Sequence, residues 1–235
     1  MTINLSIRAY SKQLNRHAHD AYHQLVLPVK GSIHMGEHLN RVMVGECVVI
    51  PAGVTHVFKA DEAARFIVAD MNALPMHLVK TTSFVFTVSP PLLSFLYFVE
   101  KQLEHQVDSG LEFLVATMFY QLLEQQDTTG ALDSRIRSAQ TIISEQLDQS
   151  LSIEVLAAAA FLGPTQFKKR FKECVGLSVY QYIIQQRMEK AKALLTHTDW
   201  PVVLIAEKVG YTDLSAFSRR FSLYFGVSPR AFSRA

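Results

Sequence analysis

Cysteine is scarce in this chain of 235 residues: there are two, Cys47 and Cys174, far apart and set among apolar neighbours. That excludes a disulfide framework and marks both as buried hydrophobes. No stretch of about 18 consecutive apolar residues occurs, and residues 1–10 lack the architecture of a signal peptide. The expectation is a soluble, cytoplasmic protein with no membrane partner. An excess of one charge sign is also missing, since 23 Lys and Arg face 21 Asp and Glu, a net charge of +2. That near-balance conceals a division. From Ser134 onward 14 basic residues face 8 acidic ones, a balance of +6, while the preceding segment carries −4. Positive charge gathered into one segment is the electrostatic footprint of a nucleic-acid partner. A hydrophobic content of 49% is ample for the cores of one or two domains.

What is present is a repeat. Shifting residues 155–178 by 50 positions superposes Phe167 on Phe217, Arg170 on Arg220, Phe171 on Phe221, Gly176 on Gly226 and Ser178 on Ser228. One structural unit is therefore used twice, on either side of a helical stretch at 178–198. Each copy reads as helix, turn, helix. In the first, Ser152 caps a helix over 153–160, residues 161–163 turn, and Pro164 opens a second helix that Gly176 ends. In the second, Pro201 stands at the helix start, residues 209–212 turn, and a helix over 213–225 stops at Gly226. Leu151 with Leu156, and Trp200 with Ile205, are spaced as staples across the two helix starts.

At 100° per residue, Phe167, Phe171, Cys174 and Val175 share one side of the first of these second helices. Phe217, Phe221, Tyr224 and Phe225 share the equivalent side of its copy. The opposite sides carry Thr165, Lys168, Lys169 and Lys172, and Ser215, Ser218, Arg219 and Ser222. These are donors suited to phosphates and base edges, with no carboxylate among them.

Residues 134–235 resemble the C-terminal DNA-binding domain of the AraC/XylS family of bacterial transcription regulators. The resemblance is carried by Leu156-Ala157, Phe167, Phe171-Lys172, Gly176-Leu177-Ser178, Tyr182, Arg187, Ala191, Ile205-Ala206, Val209-Gly210-Tyr211, Phe217 through Phe221 and Gly226-Val227-Ser228-Pro229. One departure is Pro201, at a place where the family usually has a capping Ser. The resemblance implies an all-α double helix-turn-helix whose recognition helices enter successive major grooves roughly 34 Å apart.

Before this region, short apolar runs (LVLPV, RVMV, CVVIP, HVF, FIVAD) alternate with Gly31, Gly36, Gly45 and Pro51-Ala52-Gly53. Runs of that kind predict a small antiparallel barrel or sandwich. Within them, His17-x-His19 and Gln24 precede Gly45-x5-Pro51-x-Gly53-x2-His56, which resembles the two motifs of the cupin superfamily. Gln24 stands where that pattern has Glu, and Ala60 where it often has Asn. The resemblance implies a sensor domain with His17, His19, Gln24 and His56 lining an effector site. Loss of the carboxylate removes the anionic ligand of metal-binding cupins, so neither a metal nor another cofactor is expected. His17 and His19 share a strand face, whereas Gln24 has the wrong parity unless a turn or bulge falls between them.

Residues 89–125 read as a helical hairpin. Leu92, Leu96, Val99, Leu103 and Val107 form one apolar stripe, and Leu111, Leu114, Val115, Met118 and Leu122 another. Its role is open between covering the barrel and pairing two subunits. The fold class is thus α+β: a cupin-like sensor barrel at 1–88, the hairpin at 89–125, a polar linker at 126–133, and the DNA-binding domain at 134–235. The reading is a sequence-specific, effector-responsive transcription regulator and not an enzyme. Its partners are promoter DNA, a small-molecule effector and a second copy of the chain, with RNA polymerase left open. The rivals are an effector-independent regulator with a vestigial barrel, and a metal-dependent cupin enzyme with a nucleic-acid-binding domain.

Overall fold

The computed structural model describes residues 2–9, 16–36, 40–60, 64–105, 109–128 and 133–233. Val107 of the expected stripe and residues 129–132 of the expected linker lie outside them. The N-terminal part contains β1 (Ile3–Ala9), β2 (His23–Lys30), β3 (Ser32–Met35), β4 (Asn40–Met43), β5 (Glu46–Ile50), β6 (Phe58–Ala60), β7 (Arg65–Met71) and β8 (Phe84–Thr87). They form two antiparallel sheets, ordered β1-β7-β2-β5-β8 and β4-β3-β6. Among the described residues the two sheets are not closed into a ring, so of the expected barrel or sandwich the strands form the sandwich, and a closed cupin-like barrel is not seen. Gly31, at φ 65°, lets the chain leave β2 of the larger sheet and begin β3 of the smaller one.

β2 is the central strand of the five, and residues 24–30 are buried on both faces, which is why its sequence shows an apolar run instead of alternation. Leu25, Leu27 and Val29 face the helical side, whereas Val26 joins Ile33, Val48, Phe58, Phe66 and Val68 in a separate core cluster between the strands. Pro28 is tolerated in this central position because the register shifts between Pro28 and Lys30, a bulge that removes the need for its missing N–H.

A 3-10 turn at Met76–Leu78 precedes β8. Two helices follow, α1 (Pro90–Leu103) and α2 (Ser109–Glu124). The Ser89 hydroxyl accepts from the Leu92 N–H, and Pro90 and Pro91 occupy the first turn, where a missing N–H costs nothing. The α1 stripe turns inward: Leu92, Leu93, Leu96 and Val99 are buried in the same cluster as Leu25, Leu27 and Val29, with Leu103 packed against it. Residues on α2 divide, with Val115, Phe119 and Leu123 buried while Leu111, Phe113, Leu114 and Met118 are exposed.

The C-terminal part comprises α3 (Ser134–Glu145), α4 (Ile153–Ala159), α5 (Pro164–Val175), α6 (Val179–His197), α7 (Val202–Lys208), α8 (Leu214–Phe225) and α9 (Pro229–Phe232). Asp133, Ser152, Asp213 and Ser228 cap their helices through side chains, and Ser178 with Gln181 forms a reciprocal capping box at α6. Pro201 is itself the cap of α7 and supplies no side-chain acceptor. Both α5 and α8 end at a left-handed glycine, Gly176 and Gly226.

The repeats differ by one residue in the turn. The Leu162 N–H bonds the Ala157 carbonyl just as the Tyr211 N–H bonds that of Ala206, so Phe161 aligns with Gly210. Phe161 adopts φ 51° and Gly210 φ 78°. A Cβ at Gly210 would meet the Leu147 carbonyl oxygen at 2.5 Å and Arg187 Nη2 at 2.6 Å, so glycine is needed there for space as well as for conformation. Arg187 explains the crowding: it donates to the carbonyls of Leu147 (3.0 Å), Gln149 (2.7 Å) and Gly210 (3.3 Å), tying the chain before α4 to the second turn.

The C-terminal helices share an apolar core cluster with the N-terminal half, and charged and polar side chains gather at the same junction. Lys30 Nζ lies 2.8 Å from Glu189 on α6 and 3.0 Å from Glu100 on α1, and Arg65 lies 2.6 Å from Glu104. Burial opposes the charge on Lys30, but Glu189, Tyr224 and Glu100 around it outweigh that and hold its pKa above the lysine range. On the other side of the junction, Arg137 pairs with Glu46 at 2.9 Å, Gln140 donates to the Val44 carbonyl, and Arg41 donates to Ser144 Oγ at 2.8 Å.

Candidate functional site

The phenylalanine pairs set the orientation of α5 and α8. Phe167 and Phe171, and Phe217 and Phe221, are fully buried, the pairs having ring centroids 5.7 and 5.8 Å apart. Burying them turns the opposite faces outward. Thr165, Lys168, Lys169 and Lys172 are all exposed on α5; on α8 Ser215 and Arg219 are exposed and Ser218 and Ser222 half-buried. Neighbouring cations are otherwise engaged: Arg170 is 3.5 Å from Glu173, and Arg220 hydrogen-bonds Tyr211. Each unit therefore offers one outward strip of hydroxyl and cationic donors, the chemistry that phosphates and the acceptor edges of guanine require.

A second cluster forms around the histidines. His17 and His56 pair as an isolated antiparallel bridge, each N–H donating to the other's carbonyl at 3.1 and 2.9 Å. The Gly53 N–H donates to the His19 carbonyl at 2.9 Å, so backbone bonds join the two motifs before any side chain does. Their ring centroids lie 4.4 to 5.3 Å apart, and one nitrogen from each ring can be chosen so that all three lie within 4.8 Å of one another. A bend at Asp20 and Ala21 resolves the parity problem of Gln24. Gln24 is 2% exposed and faces the same side of β2 as Val26.

The hydrogen bonds fix the ring states. A carbonyl only accepts, so His56 Nδ1, 3.0 Å from the Val54 oxygen, carries a proton. Its Nε2 then presents a lone pair, and that atom is buried without a hydrogen-bond partner among the described residues. Gln24 Nε2 only donates, to His19 Nε2 at 3.5 Å and to Asp70 Oδ1 at 2.9 Å, which leaves His19 Nδ1 protonated toward the Tyr22 hydroxyl at 2.7 Å. Burial, and after it the His17 imidazole, lowers the pKa of His19; burial also lowers that of His56 against a rise from its Val54 bond. Both favour the neutral ring.

Tyr22 and Asp70 belong to this cluster although the motifs do not contain them. Tyr22 stacks on His19 with centroids 4.6 Å apart. Asp70 arrives from β7, where it is the register partner of Gln24. The pairing of β2 with β7 was the one signal that could have found it. His23 accepts from the Ala52 N–H at 3.1 Å and so anchors the turn that delivers His56.

Residues 156–235 match the family model described as a helix-turn-helix domain. Regulatory protein PocR of Salmonella typhimurium is 33% identical over 100 residues, 43% of this chain and 33% of that protein. The arabinose operon regulatory protein of Escherichia coli is 34% identical over 102 residues, 43% of this chain and 35% of that protein. YobQ of Bacillus subtilis, an HTH-type transcriptional regulator, is 25% identical over 233 residues, 96% of this chain and 91% of that protein. The chain thus spans about a third of the length of the first two relatives and nearly all of the third. These relatives are named as regulators, in agreement with the non-enzymatic reading.

Proposed function

We propose that the chain is a sequence-specific regulator of the AraC/XylS family that reads one asymmetric DNA site with α5 and α8, a reading supported by the helix-turn-helix match over residues 156–235. The carrying observation is the twofold occurrence of a carboxylate-free outward strip, Thr165, Lys168, Lys169 and Lys172 on α5 and Ser215, Ser218, Arg219 and Ser222 on α8, each fixed by a buried phenylalanine pair. A single charged helix face is ordinary; the same face on the second helix of each repeat is what a reader of two grooves needs.

Selection from a randomised duplex pool tests this. The wild type should enrich one asymmetric sequence, and Arg219→Ala should weaken binding to it by about 1–3 kcal/mol while relaxing preference at one base. Enrichment of no sequence would refute specific reading.

In the same reading His17, His19, Gln24 and His56, with Tyr22 and Asp70 around them, hold a small polar effector. The buried lone pair of His56 Nε2, its tautomer fixed by the Val54 carbonyl, suits a ligand that donates a hydrogen bond. The convergence of three imidazoles also fits the protein ligands of a divalent-metal site. Near-stoichiometric metal in protein purified without a histidine tag, lost in His17→Ala and His56→Ala, would select that second reading.

A further inference from the structure

The interior of the C-terminal helices is divided. Phe167 and Phe171 of α5, with Val179 and Ile183 from the first turns of α6, pack in the core cluster shared with the sheets. Met188, Leu194 and Leu195 from later turns of α6 pack with Phe217 and Phe221 of α8 in a cluster of their own. Apolar burial therefore holds α5 against the N-terminal half but does not hold α8 there. Because apolar contact is also non-directional, the orientation of α8 relative to α5 needs directional bonds across the division.

Two such points occur. Beside the turn before α8, Arg187 donates to the carbonyls of Leu147 and Gly210. Toward the other end of α8 stands Lys30, from β2. Its ammonium lies 2.8 Å from Glu189 on α6, 3.0 Å from Glu100 on α1 and 5.8 Å from the centre of the Tyr224 ring on α8. The Tyr224 hydroxyl in turn donates to Glu189. Lys30, Glu100 and Glu189 are 4%, 3% and 8% exposed, so one buried ammonium joins a strand, the helix that links the two helix-turn-helix units, and the second reading helix.

We infer that Lys30 is a positioning residue for DNA reading, which sets the orientation of α8 against α5 from the far side of the molecule. This role rests on the reading of DNA by α5 and α8 above. Desolvation of buried charges offsets much of their attraction, so the group contributes little net stability and acts by fixing where its partners sit. Lys30 holds the C-terminal end of α8 as Arg187 holds its start. Without Lys30 the second unit pivots about the Arg187 contacts, and α8 no longer meets its groove in register with α5.

Lys30→Met alone would leave two buried carboxylates facing each other, so the test uses Lys30→Met combined with Glu189→Gln, in which Glu100 keeps Arg65, 3.6 Å away. Spin labels at Glu173→Cys and Leu223→Cys, both exposed and outside the outward strips, in a Cys174→Ser background, report the distance between α5 and α8 by pulsed electron paramagnetic resonance. With Lys30 in place the distance distribution should be single and narrow. The double variant should broaden or displace it, and Tyr224→Phe, which removes only the bond to Glu189, should do so to a smaller extent. A role in stability alone would lower the melting temperature and leave the distance in the folded protein unchanged. In a hydroxyl-radical footprint the double variant should keep the patch protected by α5 and lose most of the one protected by α8. A wild type without two patches would contradict the DNA reading, whereas the distance, measured without DNA, decides the role of Lys30 by itself. An unchanged distribution in both variants, or equal loss of both patches, would overturn it.

Discussion

The imidazoles of His19 and His56, with ring centroids 5.3 Å apart, are best accommodated uncharged. His19 and His56 both have pKa values below the usual 6.5, chiefly because burial penalises the charged ring. The unfolded chain therefore binds more protons than the folded one between pH 6.5 and those lower values. Stability from this source is complete above pH 6.5 and is lost as pH falls through the folded-state values. Melting temperature should drop between pH 7 and 5.5, and His56→Gln should flatten that dependence; an unchanged slope in the variant would place the acid sensitivity elsewhere. His17, His19 and His56 were legible in the sequence through their resemblance to the cupin motifs. Tyr22 and Asp70 were not, because one depends on a local bend at Asp20 and Ala21 and the other on which strand pairs with β2.

Elements were legible where a side chain closes a helix end. Ser152 caps α4 and Gly176 and Gly226 terminate α5 and α8 as expected, whereas Asp213, expected as the first residue of its helix, is its cap, and the caps at Ser178 and Ser228 were not read. The one-residue difference between the two turns was hidden, since a fixed shift of 50 aligns the second helices while the hydrogen bonds align the first at 49. The hairpin stripes were equally ambiguous. On α1 the apolar residues cover the sheet, so Leu103 belongs to the core; on α2, Leu111, Phe113, Leu114 and Met118 remain exposed. Four large apolar side chains on one exposed helix fit a self-complementary seam between two copies. Wild-type protein should sediment as a dimer at micromolar concentration, and Leu114→Asp combined with Met118→Asp should sediment as a monomer with unchanged helical content. A monomeric wild type would remove α2 from that role.

At the scale of the molecule, the charge division and the two copies of the helix-turn-helix were plain in the sequence, but the partition of the interior was not. One core cluster runs from Leu25 and Leu27 through α1 and α3 to Phe167, Phe171 and Tyr182. A separate one holds Met188, Ile205, Phe217 and Phe221. The boundary between them falls within α6, because the Tyr97 hydroxyl donates to the Val175 carbonyl at 3.0 Å and Leu93 packs against Gly176, contacts that no local pattern announces. The first helix-turn-helix is thus built onto the N-terminal half, while the second has an interior of its own. Two readers rigidly joined by α6 should leave two separate marks on DNA. Hydroxyl-radical footprinting of the full chain on its selected duplex is the most direct measurement of that claim. Two protected patches should appear on one face of the duplex, about one helical turn or roughly 10 base pairs apart, with Lys169→Ala weakening one patch and Arg219→Ala the other. A single patch, or equal loss of both patches in each variant, would contradict it.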